Sequence, residues 1–233
     1  LAAFSGAKQT IGYKNNPLSF LFTKSVEHRL GIGFENIHEV DRVLDLIGCN
    51  STRTNPGLYP SENDFLLVKE FQSEPYVTIA PASVWFTKQF PVEKWIEFIN
   101  QIPSSYNVYL VGAKSDASIA TKIVENSSRI VMDITGELKL LQTAALMKNA
   151  AMNYANDSAP VHLASAVNAP MCEVYCSTVP EFGFTPLSEK SSIIQTIEKL
   201  ECRPCGMHGR SACPKGHFKC AHSIDLSKMI SVL

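Results

Sequence analysis

The segment Met152-Asn153-Tyr154-Ala155-Asn156-Asp157-Ser158-Ala159-Pro160-Val161-His162-Leu163 has the pattern of a short buried strand that turns directly into a helix. Asp157 or Ser158 suits the helix N-cap, where a side-chain oxygen accepts a hydrogen bond from a backbone N–H, and Pro160 suits the first helical turn. His162 then lies on that turn, within reach of the cap. Helix N-termini attract anions, and open α/β sheets bind ligands at the carboxyl ends of their strands, so this turn is a candidate anion site. An ordinary capped helix with a partly buried histidine explains the same residues equally well.

The same strand-then-helix pattern recurs on both sides of this segment. Apolar runs typical of buried strands are Tyr76-Val77-Thr78-Ile79-Ala80, Val108-Tyr109-Leu110-Val111-Gly112 and Met171-Cys172-Glu173-Val174-Tyr175. Shorter extended runs are expected at 130–132 and 151–155, and helices at 91–102, 116–124, 140–147 and 160–167. Strands and helices that alternate with short connections predict an α/β fold with a parallel sheet covered by helices. We therefore expect one Rossmann-like domain over residues 71–233.

Residues 1–70 hold too few regular elements for an independent α/β domain. Strand fragments are expected around Tyr13 and at 32–34, and residues 38–47 have apolar side chains at helical spacing. The first four residues, followed by Gly6, fit the end of a helix better than the first strand of a domain. We therefore expect residues 1–70 to be the remaining part of an N-terminal domain whose opening strands precede Leu1.

Composition argues against several classes of function. The chain has 233 residues, 45% of them hydrophobic, and a formal charge of −1, so it can bury a sizeable core and has no excess of positive charge for nucleic acid. No apolar run approaches the ~20 residues of a membrane span. Seven cysteines are too few here for a dense disulfide scaffold, and Cys49, Cys172 and Cys176 have the apolar surroundings of reduced thiols. We expect a cytoplasmic protein with no transmembrane segment and no nucleic-acid partner, and peripheral membrane association stays open.

Polar residues also follow the first predicted strand. Its loop holds Ser83, Thr87 and Lys88 before a helix begins at Pro91, and hydroxyls, backbone amides and an ammonium group are all phosphate ligands. The loop lacks the Gly-Lys-Ser/Thr frame of a Walker A motif. A surface lysine in a structural loop is the more common origin of such a residue.

Two further strand ends carry small or acidic residues. Asp116 follows the second strand, where acids often hydrogen-bond a ribose, and Thr135-Gly136 follows the third. A helix-capping acid and a turn glycine are the plainer interpretations. Because these strand ends meet at one edge of a parallel sheet, their coincidence favours a nucleotide site there.

Four closely spaced cysteines, Cys202, Cys205, Cys213 and Cys220, lie in what we call the cysteine-rich segment, residues 202–222. The first pair has the C-x2-C spacing of zinc ligands, and histidines lie close by, but the second pair is wider than in usual zinc ribbons. Structural zinc, disulfides and reduced thiols all stay open, and reduced thiols are favoured by compartment and spacing.

The order of these motifs resembles glycosyltransferase family 9, the ADP-heptose:lipopolysaccharide heptosyltransferases, over almost the whole chain. The resemblance implies a GT-B fold, in which two Rossmann-like domains face each other and the C-terminal one binds a nucleotide sugar. It also implies an inverting transfer of heptose from ADP-heptose to the lipopolysaccharide inner core at the membrane surface, without a metal or other cofactor. The motifs that carry it are Gly6-Ala7-Lys8-Gln9-Thr10-Ile11-Gly12-Tyr13, His38-Glu39-Val40-Asp41-Arg42, Lys88-Gln89-Phe90-Pro91-x3-Trp95, Val111-Gly112, Thr135-Gly136 and Asn156-Asp157-Ser158-x3-His162-Leu163-Ala164.

The resemblance also implies roles for single residues. Lys88, Asp157 and His162 would act as catalytic residues at the donor diphosphate and sugar, where positive groups and amides stabilise the leaving ADP. Residues implied in substrate binding are Ser83 beside Lys88, Asp116 at the ribose, Leu138 beside the adenine, and Ser158 and Ala159 at the helix start. Thr87 is added to the substrate-binding residues from the composition of the loop alone, as the alternative hydroxyl to Ser83.

Three features differ from the family's pattern. Ala159 stands where the family has glycine, which loosens the approach of the backbone to phosphate. Asp116 is shorter than the family's glutamate. The family's general base is an aspartate in a glycine-rich loop that would precede Leu1, so we expect donor binding but not full turnover from this chain.

Two other functions stay open at this stage. A nucleotide-sugar epimerase of related fold would need a fuller acid–base set than His162 and Asp157 supply. A non-catalytic module, either nucleotide-binding or organised by zinc at the cysteine-rich segment, would use the sheet edge only as structure.

Overall fold

The computed structural model describes residues 2–30, 37–48 and 54–233. Expectations that concern residues 32–34 and Cys49 lie outside the described residues. The chain divides into two compact units, one formed by Leu1–Thr54 with Pro180–Phe184 and the other by Asn55–Val179 with Thr185–Leu233. The expected division of the chain between residues 70 and 71 stays a prediction.

The smaller unit holds a short parallel sheet and a helix. Strand β1 (Ile11–Tyr13) pairs with β2 (Lys24–Val26). Helix α1 (Glu39–Leu46) confirms the helix predicted over 38–47. It begins at His38, whose Nδ1 atom accepts a hydrogen bond of 3.1 Å from the backbone N–H of Val40.

Arg42 is a buried charge in this unit, with 1% of its surface exposed. Its guanidinium donates to Glu39 at 2.8 Å and to the backbone carbonyls of Arg29 and Phe182 at 2.9 Å each. Buried charges are tolerated when they are paired and hydrogen-bonded in this way. The motif at residues 38–42 therefore has a structural role within its own unit.

The larger unit is built on a parallel sheet whose described strands follow the order β5-β4-β3-β6-β7-β8. The chain runs outward from β3 through β4 to β5 and then returns to place β6 on the other side of β3. The carboxyl ends of β3 and β6 therefore flank a topological switch point, where open α/β sheets bind ligands. The strands are β3 (Tyr76–Ala80), β4 (Asn107–Leu110), β5 (Met132–Asp133), β6 (Met152–Asn156), β7 (Met171–Tyr175) and β8 (Ser191–Gln195).

Helices cover both faces of this sheet, which confirms the predicted α/β class. Alternate residues of each strand enter opposite cores: Val77 and Ile79 of β3 pack on one face, and Tyr76 and Ala80 on the other. Helices α3, α4, α7 and α8 supply the first core, whereas α5 and α6, with the partly buried Phe65 of α2, supply the second. The helices are α2 (Glu62–Leu67), α3 (Val92–Gln101), α4 (Ala117–Asn126), α5 (Leu140–Asn149), α6 (Ala159–Ala166), α7 (Lys219–His222) and α8 (Leu226–Ile230).

Two strands differ from the sequence prediction. The strand expected at 130–132 pairs only from Met132 onward, and Ile130 is 84% exposed. Strand β8 was not predicted, because its polar Ser-Ser-Ile-Ile-Gln sequence lacks the apolar run of a central strand. Its place at the sheet edge explains this composition, since Ile193 is partly exposed while Ile194 is buried. None of the helices in the described part of the chain is long and apolar enough to cross a membrane.

Candidate functional site

Asn156, the last residue of β6, fastens the loop that follows β3. Its side chain is fully buried; Nδ2 donates to the carbonyl oxygen of Pro81 at 2.8 Å, and Oδ1 accepts from the backbone N–H of Phe90 at 2.9 Å. Both ends of loop 81–90 are thereby hydrogen-bonded to the end of the neighbouring strand β6. No role could be predicted for Asn156 from its neighbours in sequence, because its partners lie 75 and 66 residues away.

Lys88 and Asp157 form an ion pair at the switch point. The Nζ atom of Lys88 lies 2.8 Å from Oδ2 of Asp157, with 16% and 9% of the two side chains exposed. The hydroxyl of Thr178, which follows β7, donates to the same carboxylate oxygen at 2.6 Å. The structure thus brings together two of the three predicted catalytic residues and adds Thr178, which sequence reasoning missed.

A second carboxyl group, Glu173 of β7, is buried close to this pair. Its side chain is fully buried, and within the described ranges no donor of ordinary hydrogen-bond geometry reaches either of its oxygens. Burial raises the pKa of Glu173 well above its usual range; the negative charge of Asp157 raises it further, while the Tyr175 hydroxyl and the Lys88 ammonium lower it. Burial therefore favours the neutral, protonated form of this carboxyl close to the Lys88–Asp157 ion pair.

Helix α6 begins beside Asp157. Ser158 occupies the predicted N-cap position with an extended backbone, but its hydroxyl donates back to the carbonyl of Asn156 at 3.1 Å and makes no capping bond. Ala159 and His162 are both exposed on the first turn, with Pro160 between them. Pro160 has no N–H and the Val161 N–H donates to the Ser158 carbonyl at 3.1 Å, so an anion would be favoured at this end of α6 mainly by the positive end of the helix dipole.

Thr87 and Ser83 lie in the Lys88 loop in different environments. Thr87 is 1% exposed, and its hydroxyl oxygen accepts hydrogen bonds from the Arg210 backbone at 2.8 Å and from the Ser177 hydroxyl at 2.9 Å. The predicted contact of Thr87 with phosphate therefore has no support in this arrangement, because the hydroxyl is buried and bonded to protein. Ser83 is partly exposed, and its carbonyl oxygen accepts a bond from the Gln89 side chain.

Asp116 and Leu138 follow β4 and β5, at the same edge of the sheet. The carboxylate of Asp116 accepts a hydrogen bond from the backbone N–H of Ala113 at 2.8 Å and another from the Ser115 hydroxyl at 3.2 Å. Leu138 is partly buried against the second apolar core. Between them, Gly136 has φ +76°, and a Cβ there would lie 2.9 Å from the Cα of Lys114, so the two loops meet where only glycine fits.

The cysteine-rich segment carries free thiols at Cys202, Cys205, Cys213 and Cys220. Across the described residues no group of three or more His, Cys, Asp or Glu side chains is arranged to hold a metal ion. Burial raises the pKa of Cys220 to about 11. Burial also opposes ionisation of Cys213, but backbone N–H groups of residues 215–218 hydrogen-bond its sulfur and lower its pKa overall.

Comparison with known proteins identifies the family. The family model for glycosyltransferase family 9 (heptosyltransferase) matches residues 4–213. Lipooligosaccharide heptosyltransferase 2 of Haemophilus influenzae is 30% identical over 128 residues, which is 53% of this chain and 36% of that protein.

Two solved structures share the fold. The family 9 glycosyltransferase of Veillonella parvula has a TM-score of 0.78 at 17% identity and is matched over 97% of this chain and 66% of its own. ADP-heptose LPS heptosyltransferase II of Escherichia coli has a TM-score of 0.64 at 21% identity, over 80% of this chain and 55% of its own. These likenesses agree with the expected GT-B type of α/β fold.

The match with the curated relatives is partial in length. The chain spans between 36% and 39% of the length of the curated heptosyltransferases that it matches. The family model nevertheless covers most of the chain, from the smaller unit into the cysteine-rich segment. The chain belongs to glycosyltransferase family 9, the heptosyltransferase family.

Proposed function

We propose that this chain binds the donor ADP-heptose for an inverting heptosyltransferase that extends the lipopolysaccharide inner core. The observation that carries the proposal is the Lys88–Asp157 pair of 2.8 Å at the switch point, next to the start of α6. A lysine ammonium and the positive N-terminal end of a helix are groups that bind a nucleoside diphosphate. The E. coli and H. influenzae relatives support the choice of heptose and of a lipopolysaccharide-type acceptor.

In the proposed reaction an acceptor hydroxyl oxygen bonds to the anomeric carbon of the heptose. The bond from that carbon to the diphosphate oxygen breaks, its electron pair leaves with ADP, and the hydroxyl proton passes to a base. Negative charge therefore builds on the leaving diphosphate, and a fixed cation and fixed amides lower the barrier. Lys88 supplies the cation, Asp157 and Thr178 hold it in place, and no residue of this chain is assigned as the base.

The remaining predicted residues are given donor-binding roles in the same proposal. His162 on the exposed first turn of α6 faces the sugar side, and Asp116 and Leu138 lie where the ribose and adenine would extend along the sheet edge. Ser83, Ser158 and Ala159 complete the diphosphate surroundings. Because the proposed acceptor is a membrane lipid, we also propose that the protein is peripheral at the cytoplasmic face of the inner membrane.

Calorimetric titration with ADP and with UDP tests donor binding directly. We expect ADP to bind, and Lys88→Ala to weaken it about 10- to 100-fold, because a charge-assisted hydrogen bond contributes about 1.5–3 kcal/mol. Lys94→Ala is the matched control, since Lys94 also forms a 2.8 Å ion pair, with Glu97, on helix α3. Absence of ADP binding, or an equal loss in both lysine variants, would overturn the proposal, and preference for UDP would change the donor class.

A further inference from the structure

The cysteine-rich segment holds the loop that follows β7. The guanidinium of Arg203 donates through Nε to the carbonyl of Cys176 at 2.8 Å, and through Nη2 to the carbonyl of Thr178 and to the Gln195 side chain at 2.7 Å each. The backbone N–H of Cys205 donates to the carbonyl of Ser177 at 2.9 Å. The main chain that presents the Thr178 hydroxyl to Asp157 is therefore fixed from the cysteine-rich segment.

The same segment is bonded to the residue before Lys88. The Thr87 backbone N–H donates to the Arg210 carbonyl at 3.0 Å, and the Arg210 N–H donates to the Thr87 hydroxyl at 2.8 Å. Ser177 adds two bonds from the other side, from its hydroxyl to the Thr87 hydroxyl at 2.9 Å and from its N–H to the Thr87 carbonyl at 3.2 Å. Thr87 thus joins the Lys88 loop, the loop after β7 and the cysteine-rich segment.

Gly209 brings the segment into direct contact with this loop. Its φ is +81°, and a Cβ on it would lie 3.0 Å from Cγ of Lys88, 3.1 Å from Oγ1 of Thr87 and 3.2 Å from Cβ of Trp85. The left-handed backbone favours glycine, and a Cβ at these distances fits only if Lys88, Thr87 or Trp85 shifts by a few tenths of an ångström. Gly206 has an equally unusual φ of +90°, but a Cβ there meets nothing within 4 Å.

We propose that the cysteine-rich segment is a positioning element of the donor site. Arg203 and Gly209 of this segment, together with Thr87 of the Lys88 loop, set the positions of Lys88 and Asp157. Thr87 acts through its protein contacts and does not bind phosphate itself. The expectation that the ligand is ADP rests on the function proposed above, whereas the restraint of the Lys88 loop is a property of the protein alone.

The first measurement needs no ligand. In hydrogen exchange of the full chain, Gly209→Ala should speed exchange of peptides covering residues 83–90 at least tenfold, because the added methyl group pushes on Lys88 and Thr87. Gly206→Ala is the matched control; it carries the same left-handed backbone strain and should leave that peptide within twofold of wild type. Equal exchange in the two variants would overturn the positioning role.

The second measurement is ADP affinity by calorimetry. Gly209→Ala should weaken binding at least tenfold and Gly206→Ala less than twofold, at matched thermal stability. Thr87→Val should weaken binding and speed loop exchange together, whereas Thr87→Ser, which keeps the hydroxyl, should restore both. Loss of affinity in Thr87→Val without faster loop exchange would instead show direct phosphate contact and overturn the assigned role of Thr87.

The two proposals fail in different ways. If wild type does not bind ADP, but Gly209→Ala speeds hydrogen exchange of residues 83–90 and Gly206→Ala does not, the donor proposal is wrong and the positioning role stands. If wild type binds ADP and Lys88→Ala loses it, while Gly209→Ala and Gly206→Ala agree in both measurements, the donor proposal stands and the positioning role is wrong.

Discussion

Asp157 and Asp116 occupy similar places in the fold, each between a parallel strand and the next helix, yet their partners differ. Asp157 contacts Lys88 and Thr178, which come from two other loops. Asp116 bonds the N–H of Ala113 and the hydroxyl of Ser115, within its own turn. Asp157 at the switch point has long-range partners, whereas Asp116 at an outer strand end has local ones. The two aspartates therefore differ because of their positions in the sheet and not because of residue type.

The largest expected effect is on the pH dependence of the unfolding free energy, through the buried carboxyl of Glu173. The folded pKa of Glu173 is raised, so the native state holds a proton that the unfolded state has released, and stability falls as pH rises from the unfolded pKa towards the folded one. Within that window the loss approaches about 1.4 kcal/mol per pH unit. Glu173→Gln removes this ionisation. Urea unfolding at several pH values should show the variant gaining on wild type as pH rises, and two parallel curves would contradict the assignment.

The next effect is at Asn156. Asn156→Ala leaves the Pro81 carbonyl and the Phe90 N–H without their side-chain partner, and we expect a loss of about 2–4 kcal/mol in unfolding free energy. Asn126→Ala is the control, because that side chain bonds the Lys122 carbonyl on the exposed end of α4. Equal losses of unfolding free energy for Asn156→Ala and Asn126→Ala in chemical denaturation would mean that the Asn156 hydrogen bonds between the two strand ends contribute no more than an exposed hydrogen bond.

Asp157→Ala comes third in size. Removal of the carboxylate leaves Lys88 without its partner, and we expect a loss of about 2 kcal/mol, below the cost of breaking a fully buried pair because Lys88 is partly exposed. ADP affinity should fall in the same variant. In a double-mutant cycle with Lys88→Ala the two losses should not add, and additive losses in urea unfolding would show that the pair is not coupled.

Asp116→Ala is expected to have the smallest effect. It removes a local capping bond, so the unfolding free energy should fall by about 0.5–1 kcal/mol. A cycle between Asp116→Ala and Lys88→Ala should be additive. A clear coupling energy would show that Asp116 at the outer strand end is not independent of Lys88 at the switch point, and would contradict the difference described above.

Much of the fold could be predicted from hydrophobic patterning. The central strands β3, β4 and β7 are apolar runs, β6 is a shorter extended run, and α3 and α5 have helical periodicity, because buried parallel strands and amphipathic helices leave clear patterns. Strand β8 was missed because an edge strand needs only one apolar side. The strand order, and hence the switch point, depends on which strands pair, and pairing leaves no local pattern.

The site was predictable in part for the same reason. Lys88, Asp157 and Ser158 stand out in sequence as polar residues at strand ends, but the first two lie 69 positions apart and are paired only by folding. Thr87 shows the reverse case. Its hydroxyl suits a phosphate loop in sequence, yet the structure buries it against Arg210 and Ser177.

The sequence by itself determined the alternation of strands and helices, the family, and the polar residues that end the strands. These follow from local periodicity and from short motifs. Only the tertiary structure decided that Asp157 pairs with Lys88 while Asp116 caps its own turn, that Glu173 is buried near the pair, and that Gly209 lies against the Lys88 loop. Partners, burial and space are set by elements distant in sequence, which the packing of the sheet brings to one edge.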